Sequence, residues 1–417
     1  MNATQDAFAA LRYRDFSIVT LNQFCLTLAI LIQEIIVAYS LYKITKDPLT
    51  LGLIGLAEAI PFIALSLWGG YFADRFNKQT IMKICLFFAI PLPLVLWGLF
   101  HAYGLKHIEL STLSWGVYAV IFGLGTIRGF YNPSATSLKP FLIPREIYAN
   151  GATRTTIGWQ SGVIIGPMLG GFMLAFFGRE TSFISVAVLL SLCFLLVNLL
   201  SKRTFPKIET ERVLQSLGEG FRFIAKTKIV PWAISLDLVS VLFGGVIALL
   251  PIFAEDILKI GPEGLGYLRA APSIGALITM IALTRFPPTQ HAWRNMLLAV
   301  AGFGLFTLLF AYSNYLWLSL FALAMTGACD SISVVIRQTI LQIYPPENMR
   351  GRVAAVNGMF VSSSNELGAF ESGLAAKYLG PVIATVFGGS MTLLVVAFSW
   401  AKTKDLFGVN ITQAEQK

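Results

Sequence analysis

The sequence predicts an all-α membrane protein of twelve spanning helices in two six-helix halves. Its 417 residues are 56% hydrophobic and 13% charged, with mean hydropathy +0.71, whereas soluble domains carry about 25% charged residues. The apolar residues fall in runs of roughly 20, the length that crosses about 30 Å of hydrocarbon. A polar interval at 201–228 divides those runs six and six.

In chain order, the first run is 17–42, preceded by "MNATQDAFAALRYRD". That stretch lacks the basic, apolar, small-residue order of a signal peptide, so the first span is expected to stay in the mature protein. Runs 49–72 and 80–103 flank the charged junction "GGYFADRFNKQTIMK". Runs 111–133 and 148–177 contain Pro133 and Pro167, breakers that membrane helices tolerate when neighbours satisfy the freed backbone groups. The sixth, 181–200, includes "SVAVLLSLCFLLVNLL", apolar throughout, unlike the alternating ten-residue strands of a β-barrel. The linker carries Val213, Leu214, Leu217, Phe221 and Ile224 at helical spacing beside Arg222, Lys226 and Lys228. It reads as a short helix along the inner membrane surface, or a structured linker without lipid contact. The remaining runs are 229–254, 264–284, 293–311, 315–342, 352–376 and 380–401. The expected organisation is an N-terminal bundle (1–200), a cytoplasmic linker with an amphipathic helix (201–228), and a C-terminal bundle with a cytoplasmic tail (229–417).

Placing both termini in the cytoplasm puts 22 Lys and Arg residues on that side and six on the other, the bias that orients membrane proteins. The basic residues lie in short loops and form no continuous patch, so nucleic acid is not an expected partner. The halves also repeat weakly. "LGLIGLAEAIP", ending at Pro61, parallels "EGLGYLRAAP", ending at Pro272, with Gly55 opposite Gly266 and Glu58 opposite Arg269. "LIPREIYANG" likewise parallels "IYPPENMRG". Duplicated halves are a transporter arrangement, because exchanging packed faces opens a central site to alternate sides.

The junction after the second run resembles the G-x-L-A-D-R-x-G-R-K signature of the major facilitator superfamily. Gly70, Ala73, Asp74, Arg75 and Lys78 match; Phe72, Asn77 and Gln79 depart from it. Asn77 is expected to keep a left-handed turn. Gly69 and Gly70 would allow close helix approach, Asp74 would meet a helix amino terminus, and Arg75 and Lys78 would face phosphates or acidic partners. Together Gly70, Asp74, Arg75 and Lys78 form a candidate conformational hinge. The fifth run's "GVIIGPMLGG" places Gly162, Gly166, Pro167, Gly170 and Gly171 in a G-x-x-x-G-P-x-x-G-G arrangement, which resembles the superfamily's exporter signature. From "RYRDF" to the last run, with "KDPLTLGLIGLAEAIP", "NPSATSLKPFLIPRE", "SLGEGFRFI" and "PPENMRGRVAAVN", the chain resembles the branch of enterobactin-type siderophore exporters and macrolide-type drug exporters.

Charges inside spans are expensive in hydrocarbon and should face protein or water. They comprise Glu34, Glu58, Arg128, Asp237, Arg269, Asp330, Arg337, Glu366 and Glu371. The resemblance implies that spans one, four, seven and ten line a central cavity. Glu34, Arg128, Asp237 and Asp330 are then proton-coupling candidates, with Glu34 and Arg128 as the expected core pair, and Glu366 of the eleventh run is a further candidate as a carboxylate inside a span. Cavity candidates are Asn22, Gln23, Gln33, Asn132, Arg337, Gln338 and Asn365, since a polar group deep in a span requires a partner. Phe130, Tyr131, Phe243 and Phe253 would offer apolar surface.

No paired Cys or His spacing marks a metal or redox site, and neither a Walker motif nor a dinucleotide fingerprint appears; no cofactor is expected. The chain therefore reads as a non-enzymatic, secondary active exporter of an amphipathic organic compound, a drug or siderophore, by proton antiport and alternating access. It is expected as a monomer among the lipids of a bacterial inner membrane, with small organic substrate and protons as partners. The alternatives are a nutrient or metal importer or facilitator of the same fold, and a non-transporting receptor or scaffold.

Overall fold

The computed structural model describes residues 9–201 and 213–409. Segments 1–8, 202–212 and 410–417 lie outside the described residues, and with them the start of the chain, most of the polar linker before its helix, and the tail. All regular structure among the described residues is helical. The first group is α1 (Arg14–Thr45), α2 (Pro48–Arg75), α3 (Lys78–Ala89), α4 (Pro91–Gly104), α5 (Leu110–Leu138), α6 (Tyr148–Phe176) and α7 (Gly178–Asn198). After it come α8 (Val213–Lys226), α9 (Ile229–Gly244), the short α10 (Leu250–Ile252), α11 (Gly261–Arg285), α12 (Ala292–Ala311), α13 (Leu316–Ile343), α14 (Glu347–Leu379) and α15 (Pro381–Lys402). Among the described residues, 11 helical segments are long and apolar enough to cross a membrane. The 33-residue α14, which covers the eleventh predicted run and carries Glu366, Glu371 and Lys377, is not among them.

Two predicted runs are interrupted where the sequence removes helix-forming groups. Pro91 has no N–H to continue α3 past Ile90, so the third run divides into α3 and α4. In the seventh, Gly245 leaves helical geometry at φ −71°, ψ 61°. The chain continues through a 3-10 turn, α10 and a π-turn closed by Leu258 N–H on the Phe253 carbonyl at 2.8 Å.

The chain forms two compact units. Unit 1 takes 1–45, 57–210 and 261–266; unit 2 takes 46–56, 211–260 and 267–417, so the boundary falls inside α2 and α11. In unit 1, α1 packs on α6 and α7, and α5 on α3 and α4. Its helices meet backbone to backbone at glycines, as membrane helices must where no hydrophobic effect drives them together. A β-carbon added to Gly125 would lie 2.2 Å from the Glu58 carbonyl oxygen, and one added to Gly69 2.1 Å from that of Gly129. Along α6, β-carbons on Gly162, Gly166 and Gly170 would fall 2.8, 3.0 and 3.1 Å from Thr27, Leu31 and Ile32 of α1.

In unit 2, α9 packs on α14 and α15, and α12 on α13 and α15. The α2–α5 contact of unit 1 recurs here between α11 and α13. Gly327 approaches the Pro272 carbonyl, Pro272 being the residue opposite Pro61 in the sequence repeat, and an added β-carbon would lie 1.9 Å away. Gly275 meets the Ala324 carbonyl in the same way, at 1.8 Å. The linker helix α8 lays one side on α14: Gly220 touches the Arg352 backbone, Arg352 pairs with Glu219, and Phe221 stacks with Phe360.

These contacts separate glycines that must stay glycine from those that need not. Gly327→Ala sets a methyl against backbone that cannot move aside and should cost about 1–3 kcal/mol, read as a lower thermal midpoint in detergent. Nothing lies within 4 Å of a β-carbon on Gly70. Gly70→Ala should leave the midpoint unchanged or raise it slightly, by the roughly 1 kcal/mol of helix propensity. Equal midpoints for the two variants would refute the assigned contact.

Candidate functional site

Each unit holds a polar constellation. In unit 1, α1, α5 and α6 border two cavities of about 330 and 370 Å³ that share Thr136, Lys139, Thr155 and Thr156. Gln23, Asn132 and Trp159 complete the polar side of the first; Phe16, Pro140 and Ile143 line the second. Thr155 and Thr156, which line both cavities, lie on α6 between Gly151, which touches Phe16, and Gly158, which touches Thr20. Both threonine hydroxyls donate back to helix carbonyls, at Gly151 (3.0 Å) and Ala152 (2.9 Å). Lys139, half-buried just past the end of α5, donates to the Gln23 Oε1 at 3.3 Å.

One turn after the Gly125 contact, Arg128 Nη1 donates to Glu58 Oε1, with the guanidinium 5.4 Å from the Phe62 ring centre. The carboxylate set against Arg128 in this contact is thus Glu58 of α2, where the sequence reading nominates Glu34. Glu34 is half-buried in α1. A signal for Glu58 was present, since the repeat sets Glu58 opposite Arg269 and marks both as intramembrane charges. The α2–α5 contact at Gly125 is what brings Glu58 to Arg128.

In unit 2, Arg337 Nη1 donates to Asp237 Oδ2, joining α13 to α9 with side chains 3% and 5% exposed. Asp237, Asp330, Ser240 and Ser333 line a cavity of about 10 Å³, near the lower limit for one water. Among the described residues, the Ser333 hydroxyl and Arg337 Nε are buried with no hydrogen-bond partner. The structure therefore brings Asp237, Asp330 and Arg337 together. It leaves Gln338 and Asn365 exposed and Glu366 half-buried beside Gly55.

Several predicted contact residues also make contacts within the helix packing. Asn22 is fully buried, donating to the Cys193 carbonyl at 2.7 Å and accepting from the Tyr131 hydroxyl. It thus ties α1 to α7 and α5, and Tyr131 belongs to that network. Phe253 is fully buried with its ring centre 4.6 Å from Phe310. Gln33 is 2% exposed, its Nε2 without a partner, and lines neither cavity. Phe130 stands edge-on to Phe72, and Phe243 to Phe387.

The junction after α2 also departs from its reading. Asn77 is extended, at φ −67°, ψ 116°, and caps α3 by accepting from the Gln79 and Thr80 amides at 2.9 and 3.4 Å. Asn is favoured at helix starts as much as in left-handed turns, and here the helix start prevails. Lys78 is 1% exposed rather than outward-facing: its ammonium donates to the Ala73 carbonyl at 2.8 Å, where the negative end of α2 favours a cation. Arg75 lies over the Tyr71 ring, and Asp74 is half-buried in the last turn of α2. The close contact belongs to Gly69; Gly70 faces open space. Within unit 1, Gly171 meets the Pro262 carbonyl, where an added β-carbon would lie 2.4 Å away, and Pro167 lies inside α6.

A family profile described as transmembrane secretion effector matches residues 5–407. The chain is 24% identical over 363 residues to the multidrug efflux pump Tap of Mycolicibacterium fortuitum, covering 82% of this chain and 84% of that protein. It is 26% identical over 412 residues to the enterobactin exporter EntS of Escherichia coli O127:H6, covering 94% and 90%. The crystal structure of the nucleoside transporter NupG shares the fold, with a TM-score of 0.73 at 14% identity over 93% of this chain and 99% of that one.

The buried pair in unit 2 has a testable cost. Arg337→Met should destabilise the protein by about 3–5 kcal/mol, because it strands Asp237 in a dry site. Combining it with Asp237→Leu should restore more than half of the loss in thermal unfolding. A single variant as stable as the wild type would mean that the pair does not hold α9 to α13.

Proposed function

Because the chain belongs to the transmembrane secretion effector family of major facilitator transporters, an integral membrane family of transporters rather than enzymes, we propose that it exports an amphipathic organic compound by proton antiport and alternating access. The protein would sit in a bacterial inner membrane with both termini cytoplasmic, acting as a monomer, in line with the positive-residue bias and the bacterial exporters it is similar to. The carrying observation is the unit 1 cleft. Cavities of 330 and 370 Å³ that set Gln23, Asn132, Lys139 and three threonines beside apolar groups such as Trp159, Phe16 and Ile143, among helices long enough to cross a membrane, have the size of a small-molecule site and the mixed lining that suits an amphipathic one.

The Glu58–Arg128 pair supplies the proton step in this reading. A coupling carboxylate must reach water as well as its cation. Glu58 and Arg128 are 14% and 31% exposed, in contrast to the sealed Asp237–Arg337 pair. Protonating Glu58 removes its charge-assisted bond to Arg128 and frees the guanidinium; loss of the proton restores the pair. If cargo binds better to one of these states, proton and cargo are linked reciprocally.

Reconstituted vesicles with an imposed pH gradient test the reading through cargo flux and internal pH measured together. The wild type should move cargo against proton flow. Glu58→Gln should lower gradient-driven export by about tenfold, or about 1.4 kcal/mol, while changing equilibrium cargo binding far less. Unaltered pH dependence in Glu58→Gln would move the coupling to another carboxylate, with Asp330 next, and cargo moving in the same direction as protons would replace export with import.

A further inference from the structure

The unit 1 cleft has a one-sided charge. Lys139 is the charged residue lining both cavities, and among the described residues neither includes a carboxylate. Its recorded partner is the neutral Gln23 oxygen at 3.3 Å, which leaves an ammonium with three donors short of acceptors. A half-buried cation with no counter-charge among the described residues is a place where an anionic ligand gains a charge-assisted bond. Other groups able to donate line the same cavity as Lys139: the side-chain amides of Gln23 and Asn132 and the hydroxyl of Thr136. Thr155 and Thr156 have committed their hydroxyl protons to their own helix. Beyond this polar end stand the apolar walls, Trp159 on one side and Phe16 and Ile143 on the other.

We infer that this cleft takes the acidic end of an amphipathic organic anion, with its oxygens on Lys139 and the neighbouring amides and its apolar body against Trp159 or Phe16. The inference rests on the exporter reading and narrows its cargo to molecules that carry a negative group. A cation of the same size meets like charge at Lys139. A neutral analogue keeps the apolar contacts and loses the charge-assisted bonds.

Three probes share one ring system and differ in charge: naphthalene-2-sulfonate, naphthalene-2-sulfonamide and naphthalen-2-ylmethylammonium. Binding of each radiolabelled probe to the full chain in lipid nanodiscs is measured by equilibrium dialysis, with protein-free nanodiscs subtracted. The sulfonate should bind at least about tenfold more tightly than the sulfonamide, and the ammonium should not exceed the protein-free background. Lys139→Gln should weaken sulfonate binding by roughly ten- to a hundredfold, the range for a hydrogen bond to a charged group, and leave the sulfonamide unchanged. Lys139→Arg should retain the preference. Equal binding of all three probes, no sulfonate binding up to millimolar concentration, or a preference that survives Lys139→Gln would overturn the inference. Efflux of the same membrane-impermeant sulfonate from vesicles separates it from the exporter reading. Charge-selective binding without export under any ion gradient supports the anion site and defeats the exporter reading, whereas export that favours the sulfonamide or ammonium defeats the anion site alone.

Discussion

Hydrocarbon offers no hydrogen-bond partner, and every polar group that enters it must bring its own. The helical backbone meets this demand locally, which is why all regular structure among the described residues is helical. Side chains meet it across helices: Arg128 through Glu58, Arg337 through Asp237, and Asn22 through the Cys193 carbonyl and Tyr131. Lys78 obeys the same rule at the end of α2, with the Ala73 carbonyl as its acceptor. Lys139, held at 3.3 Å by the neutral Gln23 oxygen, meets it only in part.

Polar partners reach one another only if helices approach closely, and glycine sets that distance. Gly125 lets α5 touch the α2 backbone at Glu58, one turn from Arg128. Gly327 and Gly275 do the same for α13 and α11.

The spans and the intramembrane charges were legible in the sequence because both are properties of single segments. Span length follows from apolar runs, and a charge inside such a run is visible without knowing its neighbours. Which charges meet is a property of helix pairs. The sequence therefore nominates Glu34 for Arg128, and that Glu58 meets Arg128 becomes visible only through the close α2–α5 contact at Gly125. Asn22 and Gln23 show the same limit: they are adjacent and equally polar, yet a helix turns successive residues by about 100°, so Asn22 faces α7 and Gln23 faces the cleft. At the junction after α2, one motif position is compatible with either a left-handed turn or a helix cap, and only the backbone angles of Asn77 decide between them.

The Asp237–Arg337 pair also bears on how the chain is made. Its members are 100 residues apart, so at about 5–20 residues per second the carboxylate exists for roughly 5–20 s before its guanidinium is synthesised. During that interval α9 must enter the membrane unaided, with an aspartate that costs about 2.5–3.5 kcal/mol at a helix centre. Leu236, Leu238, Val239, Val241, Leu242 and Phe243 surround it, each returning about 0.3–0.6 kcal/mol on insertion. Together they return about 2–4 kcal/mol, roughly what the aspartate costs, and that balance is what lets an acidic helix wait in the bilayer for a partner still on the ribosome.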